Sequence, residues 1–339
     1  MSLLPWLREP LVQALAQAHG HATLVHGPVG VGQFEFSMAL AQSWLCEAQA
    51  PGNAYQPACG TCNSCHLIQA RSHPDLVVVI PEALQAALGW TAAGEDDDAE
   101  KSSSKTKKPS QDIKVEAIRA VVQFSQQTSS RGRAKVVVVH PAERMNMVSS
   151  NTLLKTLEEP PGMVRFVVSA GSLDDLLPTV RSRCQAWRLP MPDTAPSVAW
   201  LQAQINGLSD EAAHVMLQAA GGQPLTARDR HAMGLDAVRW PQIPRDVAQG
   251  FSGAMAGWPL PLVVDTLQKL CHDLARMATG AAPRYFPEGS LHRDGDLARL
   301  TAWSSELRKA RRNAEHPWNL NLRVESLMQQ ARQALRFNK

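Results

Sequence analysis

No stretch of the chain approaches the roughly 18 consecutive apolar residues that a bilayer-spanning helix needs, so the sequence gives no support for a helical membrane protein. The opening Met1-Ser2-Leu3-Leu4-Pro5-Trp6 has no basic segment and no long apolar core. It does not read as a secretion signal, and a cytoplasmic location is expected. Charge of one sign is also scarce. Thirty-four Lys+Arg against 31 Asp+Glu leave a net +3 over 339 residues, too little for strong autonomous binding to DNA. Basic residues are in excess toward the C-terminus, where Arg308, Lys309, Arg311 and Arg312 read as one solvated helix face. Internal repeats are lacking. With 44% apolar and 19% charged residues, the composition fits a globular protein with room for two or three domains.

A more telling lack is local. His26-Gly27-Pro28-Val29-Gly30-Val31-Gly32-Gln33-Phe34 follows a short apolar run, Ala22 to Val25, and precedes a helical pattern from Glu35 to Leu45. The glycine spacing of Gly27 and Gly32, between strand and helix, suits a loop that wraps phosphate with backbone amides at a helix N-terminus. A working loop then needs Lys for the outer phosphates and Ser or Thr for magnesium. Those positions hold Gln33, which is uncharged, and Phe34, which cannot ligate a metal. The loop is degenerate and no ATP binding is expected from it.

Continuous apolar runs mark further buried parallel strands: Leu76 to Ile80, Lys135 to Val139 and Arg165 to Ser169. Helical patterns lie between them, at Ile113 to Gln126 and at Asn151 to Glu159. Ser150 is the expected cap of the second, and Pro160-Pro161 its stop. Alternation of strand and helix predicts a parallel α/β sheet. From about Ala92 to Ser110 an acidic run and a Lys/Ser-rich run cannot bury a core and read as a disordered surface insertion. After about Leu189 strand signals cease. Pro190, Pro192 and Pro196 mark a linker, and the remainder reads as helix, with a small unit over Leu201 to Gly222 and a longer region from about residue 236.

Four of the six cysteines cluster at Cys46, Cys59, Cys62 and Cys65. The x2 spacings of Cys59-Gly60-Thr61-Cys62-Asn63-Ser64-Cys65 aim neighbouring thiolates at one tetrahedral ion. In a cytoplasmic chain zinc is a better reading than disulfides. Cys46 is the expected fourth ligand, with His66 and His73 as alternatives. Four thiolates leave no open position, so the site is structural. Cys184 and Cys271 are isolated and read as buried apolar side chains.

The second core strand ends in His140-Pro141, where an ATPase of this kind presents acidic residues for magnesium and water. Glu143 is a weak substitute, and His140 reads as an ordinary loop residue. The segments Leu153-Leu154-Lys155-Thr156-Leu157-Glu158-Glu159-Pro160-Pro161 and Leu177-Pro178-Thr179-Val180-Arg181-Ser182-Arg183-Cys184 are far more distinctive. Together with the cysteine knuckle and the degenerate loop, they resemble the bacterial clamp-loader family of AAA+ proteins, over almost the whole chain and most strongly from Ala22 to Cys184.

The resemblance implies an α/β P-loop (AAA+) sheet domain at 1–188 that carries the zinc knuckle (46–65) and the insertion (about 92–110). It further implies a small helical lid at 189–235 and an all-α collar at 236–339 that joins five subunits in a ring. In that family the Arg of Ser-Arg-Cys, here Arg183, is an arginine finger that reaches into the ATP site of a neighbouring gamma or tau subunit. Guanidinium is permanently charged and suits that task. Arg181 is a less favoured candidate. A lid arginine that senses nucleotide in active relatives is missing at Ala220-Gly221-Gly222-Gln223-Pro224-Leu225, with Arg228 a few positions late. Ala170 stands where relatives sense phosphate after the third strand.

The expectation is thus a non-catalytic clamp-loader subunit, part of a DNA polymerase holoenzyme. Its expected partners are gamma or tau, delta, the sliding clamp and, through the assembled complex, primer-template DNA. Two alternatives are an intrinsically active AAA+ ATPase, which Gln33-Phe34 opposes, and a zinc-dependent DNA-binding module. Against the latter, only Gly60, Thr61, Asn63 and Ser64 separate the knuckle cysteines, and none can neutralise phosphate.

Overall fold

A computed structural model describes residues 3–17, 20–49, 56–90, 109–291, 296–314 and 319–335. Almost all of the expected 92–110 insertion lies outside the described residues. The chain divides into two compact units, residues 1–191 and 192–339.

The first unit is built on one parallel sheet. Its strands are β1 (Ala22–His26), β2 (Leu76–Val79), β3 (Lys135–Val139), β4 (Val164–Ala170) and β5 (Gln185–Arg188), in the order β2-β3-β4-β1-β5. The Val-rich runs of β3 and β4 are β-branched, pack well on a pleated surface and are buried on both faces by helices. The helices of this unit are α1 (Arg8–Gln17), α2 (Gln33–Leu45), α3 (Asn63–Gln69), α4 (Glu82–Gln85), α5 (Val115–Ser125), α6 (Met147–Glu158) and α7 (Pro178–Arg181). Ile118 and Val121 of α5 and Leu153 and Leu157 of α6 repeat at helical spacing. They cover Val137, Val139, Phe166 and Val168 of the sheet to make one core.

Several boundaries differ from the sequence reading. Asn146, not Ser150, caps α6: its side chain accepts from the Ser149 amide at 2.8 Å, and the helix starts at Met147. Ser150 is a buried residue inside the first turn. Ile113 forms an isolated bridge with Met145 rather than opening α5. Strand β5 had no apolar run to reveal it. Gln185-Ala186-Trp187-Arg188 is an edge strand, paired only with β1 and largely exposed.

The second unit is helical throughout its described residues. Its helices are α8 (Thr194–Gln204), α9 (Asp210–Ala219), α10 (Pro224–Ala232), α11 (Ile243–Gln249), α12 (Leu260–Ala278), α13 (Leu297–Arg312) and α14 (Leu320–Ala334). The first three pack around Leu201, Ala213 and Leu217. The rest share a larger core centred on α12, in which Trp240 stacks on Phe286 with ring centroids 4.3 Å apart. Buried Arg230 and Lys269 both donate to the Ala219 carbonyl, at 2.9 and 2.7 Å, and both pair with Asp265. Two cations thus satisfy the C-terminal end of α9, where the helix dipole favours positive charge. Arg228 is instead half-buried and pairs with the adjacent Asp229.

Candidate functional site

The glycine loop lies between β1 and α2, at the carboxyl edge of the sheet. Gly32 has φ 103°, and a Cβ there would meet Leu4 at 2.7 Å and Leu7 at 3.0 Å. At Gly27 a Cβ would sit 2.7 Å from the Leu189 carbonyl oxygen. Gly27 is therefore required by close approach of the Leu189 backbone and Gly32 by its left-handed conformation, whether or not a phosphate is bound. Gln33, where a working loop has Lys, is buried. Its Nε2 donates to the carbonyls of Gly27 at 2.6 Å and Pro28 at 2.7 Å, so the side chain stitches the loop to itself. Phe34 is buried and packs against the rings of His140, at 5.2 Å, and Trp90, at 6.2 Å.

His140 is not the ordinary loop residue expected. It touches Phe34, and its Nδ1 shares a hydrogen bond of 2.9 Å with Ser169 Oγ. Burial pushes its pKa down to about 4, so the ring is neutral at pH 7. Glu143 accepts from the Gly171 amide, just past the end of β4, at 3.0 Å. The carboxyl edge thus carries a neutral amide at Gln33, a phenyl ring at Phe34 and a neutral imidazole at His140, with the Glu143 carboxylate engaged by the Gly171 amide.

The four knuckle cysteines converge. All four sulfurs lie within 4.8 Å of one another, with Cys46 Sγ 3.5 Å from Cys59 Sγ and 3.9 Å from Cys62 Sγ. A tetrahedral zinc with Zn–S bonds near 2.3 Å sets its sulfurs about 3.8 Å apart, so the donor set fits that ion. Backbone amides of Thr61 and Cys62 donate to Cys59 Sγ at 3.4 and 3.3 Å, and the Cys59 amide donates to Cys46 Sγ at 3.4 Å. Donation led by the Thr61 amide brings the Cys59 thiol down to about 6, whereas burial pushes Cys65 up to about 12. Cys46 completes the cluster from the end of α2.

Neither histidine joins it. His66 is exposed. His73 is buried with both ring nitrogens engaged: Nδ1 accepts from the Asp75 amide at 3.1 Å, which leaves Nε2 to donate to Ser64 Oγ at 2.8 Å. Asp75 is itself buried. It accepts from Ser129 Oγ at 3.0 Å and from the amides of Ser130 and Arg131 at 2.8 and 3.0 Å, with Lys135 Nζ at 3.6 Å. Burial would raise its pKa, but these donors outweigh it and hold the carboxyl below its usual value. Glu47 closes the circuit by accepting from the Ser64 amide and pairing with Arg131. No spacing rule reveals this polar network, because its members come from segments far apart in the chain.

Arg183 lies at the other edge. Parallel pairing sets Gln185 beside Thr23 and Arg188 beside His26. Arg183 therefore precedes the amino end of β5, while Gly27 follows the carboxyl end of β1. The four steps from Thr23 to Gly27 alone separate the two levels by about 13 Å. The guanidinium approaches Glu158, the last residue of α6, through Nε and Nη2, and Nη1 donates to the Thr179 carbonyl at 2.8 Å and Ser182 Oγ at 3.3 Å. The two distinctive motifs of the sequence thus meet in one ion pair. Glu158 was legible as part of a motif but not as the partner of Arg183. Cys184 packs against the core, and burial pushes its thiol up to about 12. Cys271 is buried in the second unit, donating to the Leu300 carbonyl at 3.2 Å.

A parallel sheet with a glycine loop between a central strand and the following helix defines a P-loop-type α/β domain, here with a four-cysteine knuckle inserted after α2. More specifically, the chain belongs to the family described as DNA polymerase III, delta subunit, whose model matches residues 7–193. It is 34% identical over 238 residues to DNA polymerase III subunit delta' of Pseudomonas aeruginosa, covering 70% of this chain and 64% of that protein. It is 32% identical over 228 residues to subunit delta' of Escherichia coli, covering 66% and 59% of the two chains. A stretch of 180 residues is 31% identical to DNA polymerase III subunit tau of Salmonella typhimurium, covering 53% of this chain and 23% of that one. The matched region thus spans less than two thirds of each of these relatives. Among the described residues no helix is long and apolar enough to cross a membrane.

Proposed function

We propose that the chain is a non-catalytic delta'-type subunit of the DNA polymerase III clamp loader, acting in the cytoplasm in loading the sliding clamp onto primed DNA. The observation that carries this reading is the asymmetry between the two edges of the sheet. At the carboxyl edge Gln33 donates into its own loop and Phe34 packs on a neutral His140, so the two positions where a working loop has Lys and Ser or Thr offer neither a cation nor a hydroxyl. At the amino edge Arg183 keeps a permanent charge, on the wrong side of the sheet to serve that loop. A guanidinium so placed suits action on another molecule's nucleotide, and a trans arginine can raise phosphoryl transfer by about 10³-fold or more.

In this reading residues 192–339 supply the helical lid and the collar, divided near 235, and the collar joins gamma or tau and delta subunits in a five-membered ring. Primer-template DNA is met through the assembled complex. Cys46, Cys59, Cys62 and Cys65 hold a structural zinc, whose chemistry is to cross-link the knuckle. The test is ATP turnover by a ring reconstituted with its partner subunits, clamp and primed DNA. Arg183→Ala is expected to slow the ring at least 100-fold with assembly intact, while the isolated chain stays silent. Turnover by the isolated chain, or a ring indifferent to Arg183→Ala, would overturn the proposal.

A further inference from the structure

The contacts of Arg183 are unequal on its two sides. The Nε–Nη2 side faces a carboxylate, Glu158, held at the end of α6 in the stretch that Pro160-Pro161 terminates. Nη1 faces only neutral acceptors, the Thr179 carbonyl at 2.8 Å and Ser182 Oγ at 3.3 Å. Charge-assisted hydrogen bonds are about twice as strong as neutral ones. An incoming phosphate oxygen therefore displaces the Nη1 contacts before the carboxylate. Arginine also has much rotamer freedom to lose, and a half-exposed arginine without a charged partner would sample many poses. With 30% of the Arg183 side chain exposed, the pair is open to solvent but not freely rotating.

We propose that Glu158 is a positioning residue for Arg183: it holds the Nε–Nη2 side, fixes the plane of the guanidinium, and leaves Nη1 to be given up to a phosphate of a nucleotide bound by the adjoining subunit. This rests on the reading of Arg183 as a trans-acting arginine. Glu158 never touches the nucleotide. It lowers the ordering that the transition state would otherwise require.

Four variants of the full chain test this in the reconstituted ring: Arg183→Ala, Glu158→Ala, Glu158→Gln and the double variant Arg183→Ala/Glu158→Ala. Glu158→Ala is expected to lower kcat about three- to tenfold with little change in KM for ATP, the size set by an arginine's rotamer freedom. Glu158→Gln keeps an acceptor oxygen in place and is expected to recover at least half of the wild-type rate. The double variant is expected to be no slower than Arg183→Ala alone, because Glu158 acts only through Arg183. In the isolated chain, the Arg183 Nε proton is expected to exchange with solvent faster in Glu158→Ala than in wild type, by nitrogen-15 NMR.

A ring slowed by Arg183→Ala but indifferent to Glu158→Ala overturns the role of Glu158 while leaving the trans arginine standing. So does a double variant that falls below Arg183→Ala, which marks Glu158 as structural. A ring indifferent to Arg183→Ala overturns both.

Discussion

Replacing Asp75 by Asn tests whether the cysteine knuckle is tied to the sheet by charge rather than by shape. The substitution is nearly isosteric, and it leaves Lys135 without its counter-ion at a position where both side chains are almost wholly buried, 3% and 0% exposed. Removing one partner of a buried pair costs about 3–5 kcal/mol. An Asn amide also presents donors where Asp75 presents only acceptors. Whichever oxygen it replaces, it faces the amide of Ser130 or that of Arg131, which adds about 1 kcal/mol or more for an unpaired buried donor. Lys135 Nζ lies 3.8 Å from the centre of the Phe124 ring, a contact present before and after the substitution that leaves the balance unchanged. The net expectation is a loss of about 4–6 kcal/mol, read as a lower denaturation midpoint in guanidinium titrations of the zinc-loaded chain at pH 7. Adding Lys135→Met removes the orphaned charge and is expected to restore about half of the loss. An Asp75→Asn chain within 1 kcal/mol of wild type, or a double variant no more stable than the single, would refute the reasoning.

Other substitutions probe the remaining features. The wild-type chain is expected to release one zinc on thiol modification, counted with a chromogenic chelator, and Cys46→Ser to bind zinc at least tenfold more weakly with a lower melting temperature; unchanged affinity would exclude Cys46 as a ligand. His140 titrates near 4 when folded against an ordinary 6.5, so its contribution to stability is complete above pH 6.5 and is lost as pH falls toward 4. That window is worth about 3 kcal/mol, and His140→Gln is expected to flatten this part of a stability-versus-pH curve. Restoring loop chemistry with Gln33→Lys and Phe34→Thr is expected to leave the isolated chain without ATP turnover, because β3 still runs into His140-Pro141; measurable magnesium-dependent hydrolysis would show that the loop alone had been limiting.

The parts of the fold that could be read in advance are those where one physical demand sets the residue type. Strands β1, β3 and β4 fill the middle of the sheet and are buried along most of their length, so they appear as largely apolar runs, and half-buried edge strand β2 keeps one as Leu76-Val77-Val78-Val79. The x2 cysteine spacing is set by a tetrahedral ion and shows in the same way. Strand β5 escaped because an edge strand with exposed faces has no such demand, and Gln185 to Arg188 look like any polar stretch. The start of α6 was misread because Ser150 and Asn146 are both good caps; only the 2.8 Å bond to the Ser149 amide decides between them. His73 and Asp75 escaped for a different reason. Their partners Ser64, Ser129 and Arg131 are up to 56 residues away in the chain, and hydrogen bonding at that separation leaves no periodic trace.

The residues of interest divide between the two edges of the sheet. In a parallel α/β sheet, strand-to-helix loops cluster at the carboxyl edge and helix-to-strand returns at the amino edge. Gln33, Phe34 and His140 belong to the first set, and their contacts with one another close it locally. Cys46, Asp75, the 129–131 turn, Glu158 and Arg183 flank helix ends or strand starts at the second. Between the two edges lies the apolar core of the sheet and its helices. On the proposed function, substitutions that respect packing at the carboxyl edge leave ring turnover intact, and equally conservative ones at the Glu158–Arg183 pair do not.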